Sequence, residues 1–252
     1  MTLTFLGTGT STGVPILGCD CFTCTSPDPH DNRTRPSIML EFDGRVVVVD
    51  TTPDFRQQGL REGIGRLDAV LFTHTHADHV FGLDDVRVFN FRQKQAIPIY
   101  ADRRSLDRIR QIFSYVFQGN VAGGGIPQLN PTVIDGPFEL WGRQFIPVPV
   151  LHGELPVLGF RMDRAAYVTD FSVIPETSLP LLEGLDVLIL DALRPKPHPT
   201  HSTLDQSLAL VERLNPRRAF FTHMAHDLLH EATNAALPPR VRLAFDGLRL
   251  EL

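Results

Sequence analysis

Four residues of types that bind metal ions are concentrated in the segment His74-Thr-His76-Ala-Asp78-His79. The segment follows a predicted buried strand at residues 67–72. Residues two apart in an extended segment point to the same side, so His74 and His76 can bind one ion together. If the chain then turns into a helix, Asp78 and His79 face the same cavity and can bind a second ion. Imidazole and carboxylate groups suit zinc, manganese or iron. The alternative is a polar loop whose histidines are hydrogen-bonded.

Three more residues with ligand-type side chains each follow an apolar segment that predicts a strand: His152, Asp170 and His223. A lone histidine after a strand is usually a hydrogen-bonded loop residue. The repetition of an apolar strand followed by one such residue nevertheless favours a shared site at the strand ends. A site for two metal ions needs additional ligands of this kind.

A second group of ligand-type residues reads Cys19-Asp-Cys21-Phe-Thr-Cys24. Three thiolates at this spacing can surround one tetrahedral ion and leave one position for a distant ligand. His226, three residues after His223, is the predicted fourth ligand. Three cysteines cannot form a disulfide framework, and their spacing indicates a metal site in a reducing compartment. The alternative is three buried free thiols.

The elements that must position these residues alternate between groups of strands and helices. A hairpin is predicted at 37–42 and 45–50 around Asp43-Gly44, and amphipathic periodicity predicts a helix over 103–117. A further helix is predicted near 175–183, and a surface loop or hinge at Gly123-Gly124-Gly125. No linker or shift in composition divides the chain. We therefore interpret residues 1–252 as one α/β domain of two packed sheets flanked by helices.

Composition narrows the classes of function. The chain has 252 residues, 42% hydrophobic and 21% charged, which is ordinary for a globular protein. It has no apolar run of the ~20 residues that a membrane span needs. The first residues resemble no export leader, so we expect a cytoplasmic protein without a membrane partner. A net charge of −5 and the absence of a basic arm argue against a long nucleic acid partner. A homodimer is left open.

The histidine motif, with His152, Asp170 and His223 in order, resembles the metallo-β-lactamase superfamily over essentially the whole chain. The resemblance implies an αββα four-layer sandwich with two divalent catalytic ions, zinc or manganese. It also implies the ligand sets, which are His74, His76 and His152 for one ion and Asp78, His79 and His223 for the other. Asp170 would bridge the two ions.

The segments Gly7-Thr-Gly9-Thr-Ser-Thr-Gly13-Val-Pro15, Gly18–Cys24 and Thr222-His223-Met-Ala-His226 narrow the resemblance. They are similar to phosphodiesterases of the phosphonate-degradation type, which cleave a ribosyl cyclic phosphate and carry a separate structural zinc. The pyrroloquinoline quinone biosynthesis B protein has a similar cysteine-rich start but lacks an intact histidine motif. Taken alone, the glycines of the first segment predict a tight turn in preference to a phosphate-binding loop, because their spacing departs from G-x-G-x-x-G.

Other residues are candidates for positioning or substrate contact. Asp50 and Asp191 each end a predicted strand and either orient metal-bound histidines or cap the surface. His201 is similar to a histidine that these phosphodiesterases use near the substrate phosphate, and His198 competes for that role. Arg87 either meets a phosphate or lies on a solvated helix face.

The expected activity is hydrolysis of a small phosphodiester, cyclic ones included, by a metal-bridging hydroxide. Asp78 and His201 carry the catalytic roles in this hypothesis, His201 by stabilising charge or protonating the leaving oxygen. Three alternatives remain: a tRNA 3′-processing nuclease, a thioester or lactone hydrolase of the same fold, and a non-enzymatic di-iron binding or sensing protein.

Overall fold

The computed structural model describes residues 1–118 and 125–252. The predicted loop at 123–125 therefore lies outside the described residues except for Gly125. Within the described residues, no helix is both long enough and apolar enough to cross a membrane.

Over residues 1–118 and 125–252, fourteen strands form two mixed sheets of seven strands each. The first sheet contains β1 (Thr2–Gly7), β2 (Ser37–Phe42), β3 (Arg45–Val49), β4 (Ala69–Leu71), β5 (Ile97–Ala101), β6 (Leu129–Val133) and β14 (Arg249–Glu251), in the order β14-β1-β2-β3-β4-β5-β6. The second contains β7 (Phe138–Leu140), β8 (Arg143–His152), β9 (Leu155–Met162), β10 (Ala165–Val168), β11 (Val187–Asp191), β12 (Arg218–Thr222) and β13 (Val241–Leu243), in the order β13-β12-β11-β10-β9-β8-β7.

Each sheet has an antiparallel part and a parallel part. In the first sheet β3 to β6 run parallel, and in the second β10 to β13 do. Parallel neighbours bring their carboxyl ends to the same edge of a sheet, and ligands of α/β proteins commonly bind there. The chain therefore returns repeatedly to one edge, where the residues that follow each strand can meet.

Helices cover the outer faces of both sheets. They are α1 (Phe55–Glu62), α2 (Ala77–Val80), α3 (Arg87–Gln93), α4 (Arg103–Ile112), α5 (Ser114–Phe117), α6 (Leu204–Leu214) and α7 (His230–Ala236), with 3-10 turns at Pro29–Asp31, Leu83–Val86 and Leu179–Leu182. The helix predicted near 175–183 is wrong, because only the short turn at its end forms. Pro180 lies inside that segment and has no N–H to donate to a helical ladder.

Three layers of buried apolar side chains hold the sandwich together. The layer between the sheets combines side chains of both, among them Leu40, Val49, Phe160 and Ile189, which are fully or almost fully buried. Two further layers lie between each sheet and its helices. The predicted αββα four-layer fold is confirmed. That residues 1–252 form a single domain stays a prediction, and the shared central layer supports it.

The glycine-rich segment after β1 lets two stretches of chain approach closely. A Cβ atom at Gly7 would lie 1.9 Å from the carbonyl oxygen of Arg35, and one at Gly9 would lie 2.6 Å from that of Arg33. Gly9 also pairs with Met224 in an isolated parallel bridge. Because glycine has no Cβ atom, the N-terminal segment can lie directly beside the residues that follow β12.

Candidate metal centres

The structure brings all seven of the predicted ligand-type residues to one end of the sandwich. They follow or end strands of both sheets, and all of them except His76 are buried. They form two neighbouring groups, one of His74, His76 and His152 and the other of Asp78, His79, Asp170 and His223. Within each group one ligand atom from every residue lies within 4.8 Å of the others. The groups adjoin at Asp170, whose Oδ2 lies 3.9 Å from Nε2 of His74.

The first group consists of imidazoles alone. Ring centroids are 4.6 Å apart for His74 and His76, 5.0 Å for His76 and His152, and 5.6 Å for His74 and His152. Nδ1 of His152 donates to the carbonyl oxygen of Thr200 over 2.7 Å, which leaves Nε2 free to bind an ion. Burial lowers the pKa of His152 to about 4. The ring is therefore neutral near pH 7, as a metal ligand must be.

The second group interleaves imidazoles with carboxylates. Nε2 of His79 lies 3.4 Å from Asp78 Oδ2 and 3.3 Å from Asp170 Oδ1. Nε2 of His223 lies 3.2 Å from Asp170 Oδ2 and 3.7 Å from Asp78 Oδ2. Burial disfavours a charged His223, but the carboxylates of Asp170, Asp78 and Asp191 together outweigh burial and raise the pKa of this histidine to about 10. The carboxylates thus attract positive charge, which a proton or a bound cation can provide.

The donor atoms fit divalent cations. Within the described parts of the chain, the Nε2 atoms of His74, His79 and His223 are buried without a hydrogen-bond partner. A buried polar atom without a hydrogen-bond partner lowers the stability of the fold. These three nitrogen atoms therefore indicate a bound ion that takes the place of a hydrogen-bond partner. Two ligands about 2.1 Å from a tetrahedral ion lie about 3.4 Å apart. The spacings of 3.2–3.7 Å in the second group match that value.

The backbone at the ends of three strands lies in the left-handed region. The φ values are 66° for Asp50, 54° for Asp170 and 58° for His223. Residues other than glycine rarely adopt this conformation, which costs on the order of 1 kcal/mol or more. All three side chains are buried at the metal groups or against them. This backbone conformation directs each side chain toward the centre of the site.

Asp50 is hydrogen-bonded to the histidine motif, as the first of the two roles predicted for it requires. Its Oδ2 accepts from Nδ1 of His79 over 2.7 Å and from the hydroxyl of Thr73 over 2.7 Å. Its Oδ1 accepts from the Thr73 amide over 2.9 Å. The Thr73 hydroxyl also lies 3.0 Å from Nδ1 of His74. Asp50 and Thr73 therefore direct Nε2 of both histidines into the site. Thr73 carries no sequence signal that predicts this role.

His201 lies beside the metal groups and is held by Asp191. Nδ1 of His201 donates to Asp191 Oδ2 over 2.7 Å. Its ring lies 4.5 Å from that of His152 and 4.6 Å from that of His223, between centroids. His198 is adjacent, 5.1 Å from His201, but its Nδ1 accepts from Thr200. The structure thus places His201 in contact with both metal groups.

Arg87 does not join this cluster. It lies at the start of α3, and its Nη1 forms an ion pair of 2.9 Å with Asp84. Tyr115 also donates to Asp84. Arg87 is partly exposed, as a solvated helix residue would be.

A separate cluster contains the three cysteines and His226. The Sγ atoms of Cys19, Cys21 and Cys24 lie 3.4, 3.4 and 3.5 Å from Nδ1 of His226. Zinc bound at about 2.3 Å to sulfur and 2.1 Å to nitrogen would place those atoms about 3.6 Å apart. The backbone amide of Cys24 lowers the pKa of Cys21 to about 7, whereas burial raises that of Cys24 to about 11. The cluster fits a structural metal site.

A four-layer sandwich whose strand ends carry clustered histidines and carboxylates defines the class of metallo-β-lactamase-type hydrolases. The chain belongs to the β-lactamase superfamily, whose domain matches residues 45–224. It is also similar over nearly its whole length to the crystal structure of a diphosphatase of the PhnP family. That structure has 51% identity and a TM-score of 0.93, and the similarity covers 99% of this chain and 96% of the other. The chain is a metal-dependent hydrolase.

Two further proteins are similar to this chain, one in sequence and one in structure. An octanoyltransferase of Porphyromonas gingivalis is 39% identical over 96% of this chain, and the chain spans half the length of that protein. The Zn²⁺-bound structure of PqqB from Methylobacterium extorquens is 21% identical with a TM-score of 0.81, and the similarity covers 100% of each chain. The fold family binds divalent metals such as zinc.

Proposed function

We propose that this chain hydrolyses a small phosphodiester, such as a ribosyl 1,2-cyclic phosphate, with two divalent ions, zinc or manganese. The observation that carries the proposal is the convergence of seven ligand-type side chains, with unpartnered imidazole nitrogens, next to His201. A pair of divalent ions, when bound, acidifies water and neutralises phosphoryl oxygens during an in-line displacement.

The residues of the chain supply binding and proton transfer in this proposal. His74, His76 and His152 would hold one ion, and Asp78, His79 and His223 the other, with Asp170 between them. His201 would donate a proton to the leaving oxygen or hydrogen-bond to the phosphoryl group. Because Asp191 occupies Nδ1 of His201, Nε2 is the nitrogen that remains for the substrate.

A second candidate is hydrolysis of a diphosphate, in which a P–O–P bond is cleaved. The 51% identity to a diphosphatase of the PhnP family favours it. The same residues serve this reaction, because attack on phosphorus and protonation of a leaving oxygen are common to both substrates. A long nucleic acid substrate fits less well with a net charge of −5.

A substrate panel tests the proposal. Purified protein loaded with Zn²⁺ or Mn²⁺ is incubated with bis-p-nitrophenyl phosphate, nucleoside cyclic phosphates, a ribosyl cyclic phosphate, nucleoside diphosphates, thioesters and lactones. We expect turnover of phosphodiesters, or of diphosphates for the second candidate, that chelation abolishes and added metal restores. Turnover confined to thioesters or lactones would overturn both candidates, and so would undiminished turnover after chelation.

A further inference from the structure

A further cluster of ligand-type side chains shares no residue with the two metal groups or the cysteine cluster. It contains His30, in the 3-10 turn that follows the cysteines, and His230 and Glu231, the first two residues of α7. One ligand atom from each of the three lies within 4.8 Å of the others. The two imidazole rings have centroids 4.7 Å apart, close to the 4.6 Å between His74 and His76. The spacing is therefore that of side chains that can bind one ion together.

His230 is the buried member of this cluster. It is 4% exposed, and within the described residues its Nδ1 has no hydrogen-bond partner. Burial, with smaller contributions from His30 and Arg33, lowers the pKa of His230. The ring is therefore neutral near pH 7 and has a lone pair that a cation can accept. A buried imidazole without a partner indicates a ligand in the same way as the unpartnered nitrogens of the catalytic groups.

The carboxylate of Asp28 lies against the other ring. Its Oδ1 is 3.0 Å from Nδ1 of His30 and accepts from the His30 amide over 2.9 Å. Histidines that bind metal usually have a carboxylate or carbonyl oxygen at the nitrogen that does not bind the ion. Nε2 of His30 is therefore the nitrogen that remains for an ion. His30 is partly exposed and Glu231 is exposed, so an ion can reach the cluster from solvent.

The two histidines are held in place by contacts other than their own. Asp31 accepts from the His230 amide over 2.8 Å and from the guanidinium of Arg33 over 3.1 Å. Arg33 is 1% exposed and donates to two backbone carbonyl oxygens of the segment before α7. The ring of Phe245 packs on both imidazoles, 4.3 Å from His30 and 5.8 Å from His230 between centroids. Side chains that are already ordered lose little freedom when a ligand binds.

We propose that His30, His230 and Glu231 bind one exchangeable divalent transition-metal ion, which strengthens the link between the N-terminal segment and α7. Two imidazoles and one carboxylate suit zinc, and three protein ligands leave a coordination position for water. The ion is therefore released more readily than that of the cysteine cluster, whose four ligands complete a tetrahedron. This inference does not depend on the proposed function, because it uses none of the catalytic residues.

Calorimetry with Zn²⁺ tests the site. The protein is loaded with zinc and desalted, which leaves the catalytic groups and the cysteine cluster filled, and is then titrated with more zinc. We expect the wild type to bind one additional ion per chain and His30→Gln to lose it. Glu231→Gln should weaken it by at least about tenfold, the effect of even an outer residue of a metal site. The added zinc should raise the Tm of the wild type but not that of His30→Gln, because an ion that binds only the folded state stabilises it.

His198→Gln is the matched control, because it removes another partly exposed histidine that lies beside a second imidazole, that of His201. It should keep the additional ion. Without added zinc, His30→Gln should melt near the wild-type temperature. Glu231→Gln changes an exposed side chain and therefore tests the site even if His30→Gln does not fold. The inference is overturned if the wild type binds no additional ion, or if His30→Gln and Glu231→Gln both bind it as the wild type does.

Discussion

Asp191 connects His201 to the second metal group. One of its carboxylate oxygens accepts a hydrogen bond of 2.7 Å from Nδ1 of His201, and the other lies 3.9 Å from Nδ1 of His223. Asp191 is fully buried at the end of β11, where Ser207 also donates to its carbonyl oxygen. One buried carboxylate thus positions the histidine that is proposed to meet the substrate and also lies beside a ligand-type histidine.

Removing the His201 imidazole should slow turnover without removing metal. His201→Ala is expected to lower kcat by about 10²–10⁴-fold, the usual contribution of a general acid. Metal content should stay at the wild-type value, because His201 lies outside the proposed ligand sets. Kinetics and elemental analysis of the same preparation measure both effects.

His198→Ala is the matched control for this change, because His198 is the adjacent histidine. It should retain most of its activity. The reverse pattern, with a slow His198→Ala and an active His201→Ala, would transfer the role to His198. Loss of an ion from His201→Ala would instead make His201 a ligand.

Replacing Asp78 should abolish turnover while the fold persists. Asp78→Asn keeps the shape of the side chain but removes a carboxylate whose Oδ2 lies near Nε2 of both His79 and His223. We expect kcat to fall by at least about 10³-fold and metal content to decrease, as loss of a charged ligand weakens an ion site. Glu212→Gln, an exposed change on α6, should match wild type. Near-normal turnover of Asp78→Asn at saturating metal would contradict the ligand assignment.

The Thr73 hydroxyl should contribute to metal affinity through the residues it holds. Thr73→Val keeps the branched shape but removes the hydrogen bonds to Asp50 and His74. Loss of such supporting bonds weakens metal binding by about 10–100-fold. Thr73→Ser retains the hydroxyl and should restore the wild-type affinity. Competition with a chelator of known affinity measures the effect, and equal affinities for the valine and serine variants would show that the hydroxyl has no such role.

The cysteine cluster should bind one zinc ion that stabilises the fold. Cys21→Ser is expected to lower the zinc content by one ion per chain and to reduce Tm, since an ion that binds only the folded state stabilises it. Any loss of activity should be smaller, because the cluster affects the metal groups only indirectly, through the position of His223. His30→Ala, which changes a histidine outside this cluster, should keep the zinc. Unchanged zinc content and Tm in Cys21→Ser would show that the cysteines are free thiols.

Asp68 should make stability depend on pH in acid. Burial raises the pKa of Asp68, but hydrogen bonds from Arg66, the Val46 amide and Arg45 outweigh burial and lower it below its ordinary value. A depressed folded-state pKa contributes stability above the unfolded pKa of about 3.9, and this is lost as pH falls through the folded value. Asp68→Asn should therefore lower the free energy of unfolding by about 1–3 kcal/mol at pH 7 and by less below pH 4. Urea unfolding of the variant and the wild type at pH 7 and below pH 4 measures this difference. An equal difference under the two conditions would contradict the prediction.

The fold and the gathered side chains were predictable because they rest on strong local patterns. Apolar strands that each end in one ligand-type residue, such as His152 and His223, predict a shared edge once the strands run parallel. By contrast, the sequence pattern does not predict β6, because its residues Leu-Asn-Pro-Thr-Val do not alternate between apolar and polar. Its proline is tolerated because β6 is an edge strand.

Other parts of the site have no distinctive sequence signal. The carbonyl oxygen of Thr200, which orients His152, is a backbone atom that any residue would supply. Arg103, Arg104 and Arg108 of α4 form an ordinary charged helix face in the sequence, because the pattern does not reveal that they line the cavity beside His74 and His76. Arg87 was a candidate on its type alone, and only the three-dimensional position of Asp84 shows its partner.

The order of the ligands along the chain has a consequence for biosynthesis. His223 and His226 lie about 200 residues after Cys19 and Cys24, the first and last cysteines of the N-terminal cluster. A nascent chain emerging from the ribosome would expose these thiols long before their histidine partner is made. Neither the second metal group nor the cysteine cluster is complete until His223 and His226 have been synthesised. Metal insertion is therefore a late step, and the early thiols must stay reduced until then.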